Sequence, residues 1–257
     1  MEGSFREMKN IRIDLMFDGT AYHGFQRQKN AITVQECLEK AILNVTGTFS
    51  PITGCSRTDA GVHAMNYTAN FRSETKIPRD RLPLALNQSL ADDIRVLAAM
   101  DVQDDFNARK SALHKTYVYK IRTYRIQNVF WRGYSWHRPN LKHPEKMVDA
   151  AKYFLGRQDF RSFMAAGSPV LSTVREIRKI EVIVSDNEID IEVCADGFLY
   201  NMVRIIAGTL VYVGEGKIAP DEIPDIIQSG DRRRAGITAP PQGLFLKNIV
   251  YGRCENG

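Results

Sequence analysis

Ile11, Ile13, Leu15 and Phe17 are interleaved with Arg12, Asp14 and Met16, a strict two-residue period at the start of the chain. That period belongs to a strand with one face buried, because successive side chains of a strand point to opposite faces. It recurs. Met65, Tyr67, Ala69 and Phe71 alternate with Asn66, Thr68, Asn70 and Arg72, and Tyr117, Tyr119 and Ile121 share one face of a strand over 116–123. Residues 177–184 and 189–195 read as two strands joined in a hairpin at Asp186-Asn187, and 244–251 as a last strand after the stiff turn Pro240-Pro241-Gln242-Gly243. Strands outnumber a simple strand–helix–strand alternation. The expected class is α+β, a mostly antiparallel sheet with helices on one side.

Helices are placed by their caps. Thr33 and Glu36 have the spacing of a capping box, and Val34, Cys37, Leu38, Ala41, Ile42 and Val45 form one apolar face up to Gly47, a C-terminal cap. Pro144 starts a second helix, with Met147, Val148, Ala151, Phe154 and Leu155 on its apolar face and Gly156 as its stop. A long apolar helix is expected from about Leu199 to Val213. The second half thus echoes the first, with strand, Asp-Gly and aromatic segment. Two related units are expected, 1–110 and 111–257, with the boundary near Lys110.

The segment Cys55-Ser-Arg-Thr-Asp-Ala-Gly-Val-His-Ala64 fits neither period. Its small, polar and turn-forming residues make a loop leading into the strand at Met65. A loop held by a rigid strand suits a chemical group. Asp59 stands in that loop with Arg57 two residues before it. An acid beside an arginine is a candidate nucleophile or general base, and equally a turn aspartate capping its own backbone. His63 follows four residues later, but no third ligand stands nearby for a metal.

The 257 residues are enough for one large domain or two small ones, and 44% hydrophobic with 25% charged residues is ordinary for a soluble globular protein. No apolar run approaches the ~20 residues that span a bilayer, and residues 1–10 lack a signal-type stretch. A cytoplasmic location is expected. Cys37, Cys55, Cys194 and Cys254 are scattered, without metal-ligand spacing, and are expected reduced; Cys55 reads as a small buried thiol. There is no Gly-x-Gly-x-x-Gly, P-loop or Cys-x-x-Cys, an absence compatible with cofactor-free chemistry without proving it.

Net charge is +5. That permits a polyanionic partner without demanding one. Between Arg109 and Arg125 stand six Lys or Arg residues and no acid, with Tyr117, Tyr119 and Tyr124 interleaved. Cations for phosphates and aromatics for unpaired bases suit RNA; lysines and arginines also protect an edge strand. The run Asp231-Arg-Arg-Arg234 could touch phosphate or be a solvated surface.

Arg57-Thr-Asp-Ala-Gly-Val-His63 resembles the catalytic motif of the tRNA pseudouridine synthases of the TruA family. Further blocks resemble that family in order: Phe17-Asp-Gly-Thr-Ala-Tyr-His-Gly-Phe-Gln26, Val34-Gln35, Asp105-Phe-Asn-Ala-Arg109, Lys115-Thr-Tyr-Val-Tyr119, Phe198-Leu-Tyr-Asn-Met-Val-Arg204 and Gly243-Leu-Phe-Leu246. The resemblance runs from about Ile11 to Tyr251. Ser56 stands where most of the family has Gly, and Phe25 where it has Trp; both bear on substrate choice. The resemblance implies two similar subdomains of the pseudouridine synthase fold with a basic cleft. It implies conversion of uridine to pseudouridine at positions 38–40 of the tRNA anticodon arm by a homodimer, without metal or other cofactor. Asp59 would be the nucleophile, Arg204 the cation that keeps it ionised, and Tyr117 the residue contacting the flipped base. Arg57 could fill the gap left in the RNA or hold a phosphate. Core packing remains open for Tyr117, and snorkelling from its helix for Arg204. Two other classes stay in view. A non-catalytic RNA-binding module would keep the basic, aromatic strand and have no need of Asp59. A glycosidic-bond hydrolase usually needs two carboxylates, and no second acid lies within ten residues of Asp59.

Overall fold

The computed structural model describes residues 7–167 and 170–252; Cys254 lies outside them. In chain order the elements are β1 (Lys9–Phe17), α1 (Val34–Thr46), β2 (Thr53–Gly54), β3 (His63–Ser73), α2 (Leu82–Ser89), β4 (Ile94–Val102), β5 (Ala112–Arg122), β6 (Trp136–His137), α3 (Pro144–Ala151), β7 (Gly156–Asp159), β8 (Val174–Ser185), β9 (Glu188–Ala195), α4 (Met202–Gly214), α5 (Ile223–Ser229) and β10 (Leu244–Tyr251). The class is α+β, with mostly antiparallel sheet flanked by helices. Two units separate by their contacts: the chain up to Leu113 together with Lys247 onward, and His114–Leu246.

In the first unit β1 lies between β3 and β4, antiparallel to both, and β2 pairs with β3. The register sets Ile11 opposite Phe71, Ile13 opposite Ala69 and Leu15 opposite Tyr67. Ile11, Ile13, Leu15, Tyr67, Ala69 and Phe71 are all buried. The alternation therefore marks the true core face. α1 turns Val34, Leu38, Ala41 and Ile42 inward. Thr33 caps it by accepting from the Glu36 N–H at 3.4 Å, and Gly47 ends it at φ 73°. Glu36 does not reach back as a capping box would: its carboxylate pairs with Lys40 at 2.8 Å, one turn on. Glu39, buried on the same helix, accepts from Arg27 (2.7 Å), Gln35 (2.8 Å) and the Ile52 N–H (3.2 Å). It thereby ties the chain before the helix to the chain before β2.

In the second unit β9 pairs with β5 and β8, and β7 extends the sheet beyond β8, all antiparallel. β5 also carries β6, in parallel. With β9 on one flank and β6 at its end, β5 is not an edge strand. Two of its cations are also spent within the sheet: Lys120 pairs with Asp190 at 2.8 Å, and Arg122, 4% exposed, with Asp190 and Glu188 at 3.1 Å. Burying Arg122 without those acids would be strongly unfavourable. α4 begins at Met202 rather than Leu199, because Asn201 takes the left-handed conformation at φ 60°. The chain crosses α4 closely. A Cβ on Gly208 would stand 1.8 Å from the Ile237 carbonyl oxygen, and the Gly236 N–H donates to Thr209 Oγ1 at 2.8 Å.

Candidate active site

Asp59 lies in the loop between β2 and β3, and three features of the sequence hold that loop. Behind it is an aromatic stack. The Phe25 and Tyr67 rings lie 4.3 Å apart at 21°, with Phe17 5.5 Å from Tyr67. The Tyr67 hydroxyl reaches from this stack to the loop, where it donates to the Ser56 carbonyl and accepts from the Ser56 N–H at 3.3 Å. One side chain thus satisfies both backbone groups of the residue that opens the loop.

The second feature is the turn after β1. The Phe25 N–H donates to the Thr58 carbonyl (3.4 Å) and the Gly61 N–H to the Tyr22 carbonyl (3.2 Å). The two glycines of Asp18-Gly-Thr-Ala-Tyr-His-Gly24 permit this approach. A Cβ on Gly24, at φ 82°, would be 2.3 Å from the Thr58 carbonyl oxygen, and one on Gly19 2.0 Å from that of Val62. The turn is itself pinned, since the Tyr22 hydroxyl donates to Asp93 at 2.6 Å. Burial first, and then the Asp93 hydrogen bond, push the Tyr22 hydroxyl's pKa above its ordinary value, so it stays a donor.

The third feature is His63, which opens β3 and is 2% exposed. Its Nδ1 accepts the Gly19 N–H at 3.0 Å and lies 3.0 Å from Asp18 Oδ1. His63 is therefore a clamp between loop and turn. Among the described residues no cluster of three or more His, Cys, Asp or Glu is placed to hold a metal ion.

Within these anchors Asp59 is half-buried and Arg57 exposed. The Val62 N–H closes a turn onto the Asp59 carbonyl at 3.2 Å, and Gly61 supplies the left-handed step at φ 76°. Thr58 Oγ1 is buried without a hydrogen-bond partner among the described residues. Cys55 is fully buried beneath the loop, as a small core thiol.

A polar group beneath the loop was not visible in the local sequence. Arg12 holds Asp14 with two 3.0 Å hydrogen bonds, Thr68 donates to Asp14 at 2.7 Å, and the Arg12 guanidinium lies 4.9 Å from the centre of the Tyr251 ring. The Tyr251 hydroxyl donates to the Ala108 carbonyl at 2.8 Å. Its pKa is pushed up by burial first and then by Cys55, against the opposing effects of Thr68 and Arg12.

Tyr117 and Arg204 belong to the second unit. Tyr117, on β5 opposite Val193, is 5% exposed and meets Phe198 edge-on at 5.1 Å. Tyr119, on the same face, is fully buried and donates to the Pro240 carbonyl at 2.8 Å, which leaves it no role with bases. Arg204 is in the first turn of α4. Its Nε donates to the Ala239 carbonyl and its Nη1 to Asn201 Oδ1, each at 2.7 Å. These bonds orient the guanidinium, which does not simply snorkel to water. In the arginine run at 232–234, Arg232 donates to the Gly236 carbonyl (2.8 Å) and Thr238 (3.1 Å), bracing the turn over α4. Arg233 is turned onto Asp231 at 2.7 Å. The structure thus sets Arg57 and Asp59 on one loop of the first unit, and Tyr117 and Arg204 on β5 and α4 of the second.

The tRNA pseudouridine synthase family model matches residues 15–109 and 150–252. The chain belongs to that family, whose members are isomerases. It is 52% identical over 244 residues to "tRNA pseudouridine synthase A" of Thermoanaerobacter sp. (strain X514), covering 95% of this chain and 100% of the relative. It is 51% identical over 246 residues to the protein of that name from Ruminiclostridium cellulolyticum, with 95% and 100% covered. A chain from the crystal structure of a Cbf5-Nop10-Gar1 complex aligns with 92% of this chain and 48% of its own length, at TM-score 0.39 and 12% identity, a likeness too slight to carry an argument.

Proposed function

We propose that this protein converts uridine to pseudouridine at positions 38–40 of the tRNA anticodon stem-loop, with Asp59 as the nucleophile. The observation that carries the reading is the setting of Asp59, half-buried in a loop held by Tyr67, by the turn at 19–25 and by His63. A carboxylate so fixed loses little conformational freedom when the base arrives, which is the main advantage of positioning.

The reaction breaks the N1–C1′ bond, turns the uracil over and rejoins it through C5. Atoms and electrons balance within the nucleoside, so the proposal invokes no cofactor. Asp59 has to be ionised, and a nearby guanidinium lowers a carboxylate pKa by about 1–3 units. Arg204 is assigned that part, since its hydrogen bonds to the Ala239 carbonyl and to Asn201 orient its guanidinium. Tyr117 is assigned contact with the flipped base; its ring is already braced by Phe198. Arg57, exposed beside Asp59, is assigned to the RNA strand. Flipping a stem uridine costs a few kcal/mol, and a basic cleft that binds the flanking strand offsets it. The division into 1–110, which carries the loop, and 111–257 belongs to this proposal, as do a homodimer and a cytoplasmic location.

The test is to map pseudouridine in tRNA treated with the protein and with its Asp59→Asn variant. The proposal expects new pseudouridine at 38–40 with the first and none with the second. Product elsewhere in the tRNA removes the assigned positions, and full activity of the variant removes Asp59 from its role.

A further inference from the structure

Among the described residues, two cavities that open on the first unit differ in charge. The larger, about 870 Å³, has Arg72 and Lys76 on its walls but also Glu74, Asp104 and Asp105, and Arg72 is already bonded to Asp104. It offers no single sign of field to a charged ligand. The smaller, about 260 Å³, carries only cations as charged groups, Arg109 and Lys110. Both are exposed and neither makes an ion pair among the described residues. Arg27, close by in sequence, is different: Glu39 holds it at 2.7 Å.

The smaller cavity abuts the loop of Asp59 through the chain itself. Its wall includes Thr53 and Gly54, directly before Cys55, and Phe25, whose N–H is bonded to Thr58. The Phe25 ring is 1% exposed and its face is taken by Tyr67, so it offers an apolar floor and no free stacking face. Polar recognition falls to amides. Gln35 is committed, to Glu39, the Ile52 carbonyl and the Arg27 N–H. Asn107 uses Oδ1 to accept from the N–H groups of Arg109 (3.1 Å) and Lys110 (3.0 Å), which fixes both cations beside the cavity and leaves its Nδ2 as a donor. Gln26 is exposed and its amide has no partner among the described residues. Amides that meet base edges beside cations that meet phosphate are the chemistry of single-stranded RNA recognition. The volume lies just below the roughly 300–1,000 Å³ of drug-sized sites, which suits one base and excludes a duplex.

We propose that this cavity is a second RNA subsite, which takes one unpaired ribonucleotide flanking the target uridine, its base against Gln26 and Asn107 and its phosphate against Arg109 and Lys110. The proposal rests on the reading of the chain as an RNA-modifying enzyme. It adds a specificity element: with Asn107 Oδ1 occupied, a base edge that presents an acceptor to Nδ2 is favoured.

The experiment measures the dissociation constant of anticodon stem-loop RNA across a salt series, in the Asp59→Asn background so that no turnover intervenes. Arg109→Ala/Lys110→Ala is expected to flatten the slope of log Kd against log salt by about 0.7, the value for one single-strand phosphate, and the charge-preserving Arg109→Lys/Lys110→Arg is expected to restore it. Both residues are exposed, so the fold is not at risk. An RNA set with single abasic positions then finds the base. One abasic position should weaken binding about 5-fold or more, at least the equivalent of one hydrogen bond, and that penalty should shrink in Gln26→Ala. An unchanged slope in the alanine pair, or an abasic penalty that Gln26→Ala leaves whole at every position, overturns the proposal. Failure of the enzyme with Asp59 intact to form pseudouridine in the same RNA sinks the functional reading instead, and the binding measurement still decides the subsite.

Discussion

Tyr67→Phe separates the loop's anchorage from the core beneath it. The substitution keeps the ring stacked 4.3 Å from Phe25 and 5.5 Å from Phe17, so no cavity opens. It removes the one oxygen that bonds both backbone groups of Ser56. Two intramolecular hydrogen bonds at about 0.5–1.5 kcal/mol each amount to about 1–3 kcal/mol. Ser56 is half-buried, so water replaces part of that loss, and about 1–2 kcal/mol is expected in urea unfolding. The consequence for rate is separate. Asp59 lies three residues after Ser56, and a loosened loop samples positions from which the carboxylate cannot attack. If the productive position becomes less populated by the same 1–2 kcal/mol, single-turnover pseudouridine formation slows about 5- to 30-fold. Affinity for tRNA should stay within about 2-fold, because Tyr67 is fully buried and cannot touch RNA. A loss of stability below about 0.5 kcal/mol with an unchanged single-turnover rate would refute the idea that this hydroxyl positions the loop.

Asp59→Asn should abolish turnover while unfolding within about 1 kcal/mol of the parent protein, since a half-buried loop side chain changes shape little; denaturation and product assays check both halves. Arg204→Met should cut turnover and move the acidic limb of the pH–rate profile upward, because without the cation Asp59 ionises only at higher pH; an unshifted limb at normal rate makes Arg204 a helix brace for Ala239 and no more. Affinity for tRNA should fall steeply as salt rises, and a flat Kd across a salt series removes phosphate contacts from the account. Asp231 is held down to about 2 by its hydrogen bonds with Arg233. Its folded-state pKa is depressed, so the stability it adds is present above about pH 4 and is lost as pH falls towards 2; NMR titration of its carboxyl checks this, and a midpoint near 4 means that the Arg233 pair does not persist in solution.

How much of this was legible depends on whether the cause was local. The alternation from Ile11 to Phe17 predicted a buried face, and that face is buried. Thr33 and Gly47 bounded α1 because caps act within one turn. The loop around Asp59 could be read from its lack of any period. What holds the loop could not, because Tyr67, Tyr22 and His63 reach partners 11 to 71 residues away. Tyr67 even reads as a plain core residue of β3. The start of α4 moved because a left-handed asparagine at 201 cannot be told from a helical one by hydrophobic pattern. Lys120 and Arg122 could be read as meeting phosphate or guarding an edge strand until the structure set Asp190 and Glu188 on the neighbouring strand.

β10 changes sides along its length: Leu244–Leu246 group with the second unit, and from Lys247 the chain groups with the first. Asn248 bonds to Asn66 and Tyr251 to Ala108. During synthesis, then, the residues that carry Asp59 emerge early but cannot acquire those partners until all of His114–Leu246 has been made. The Ala108 carbonyl has to wait for a hydroxyl 143 residues downstream. The entropic cost of so long a closure grows only slowly with length, by about 0.6 kcal/mol per doubling, so the delay is one of order rather than of equilibrium. A nascent chain stopped before Lys247 would hold the aspartate loop without its complete support, and the first unit is complete only once β10 has been made.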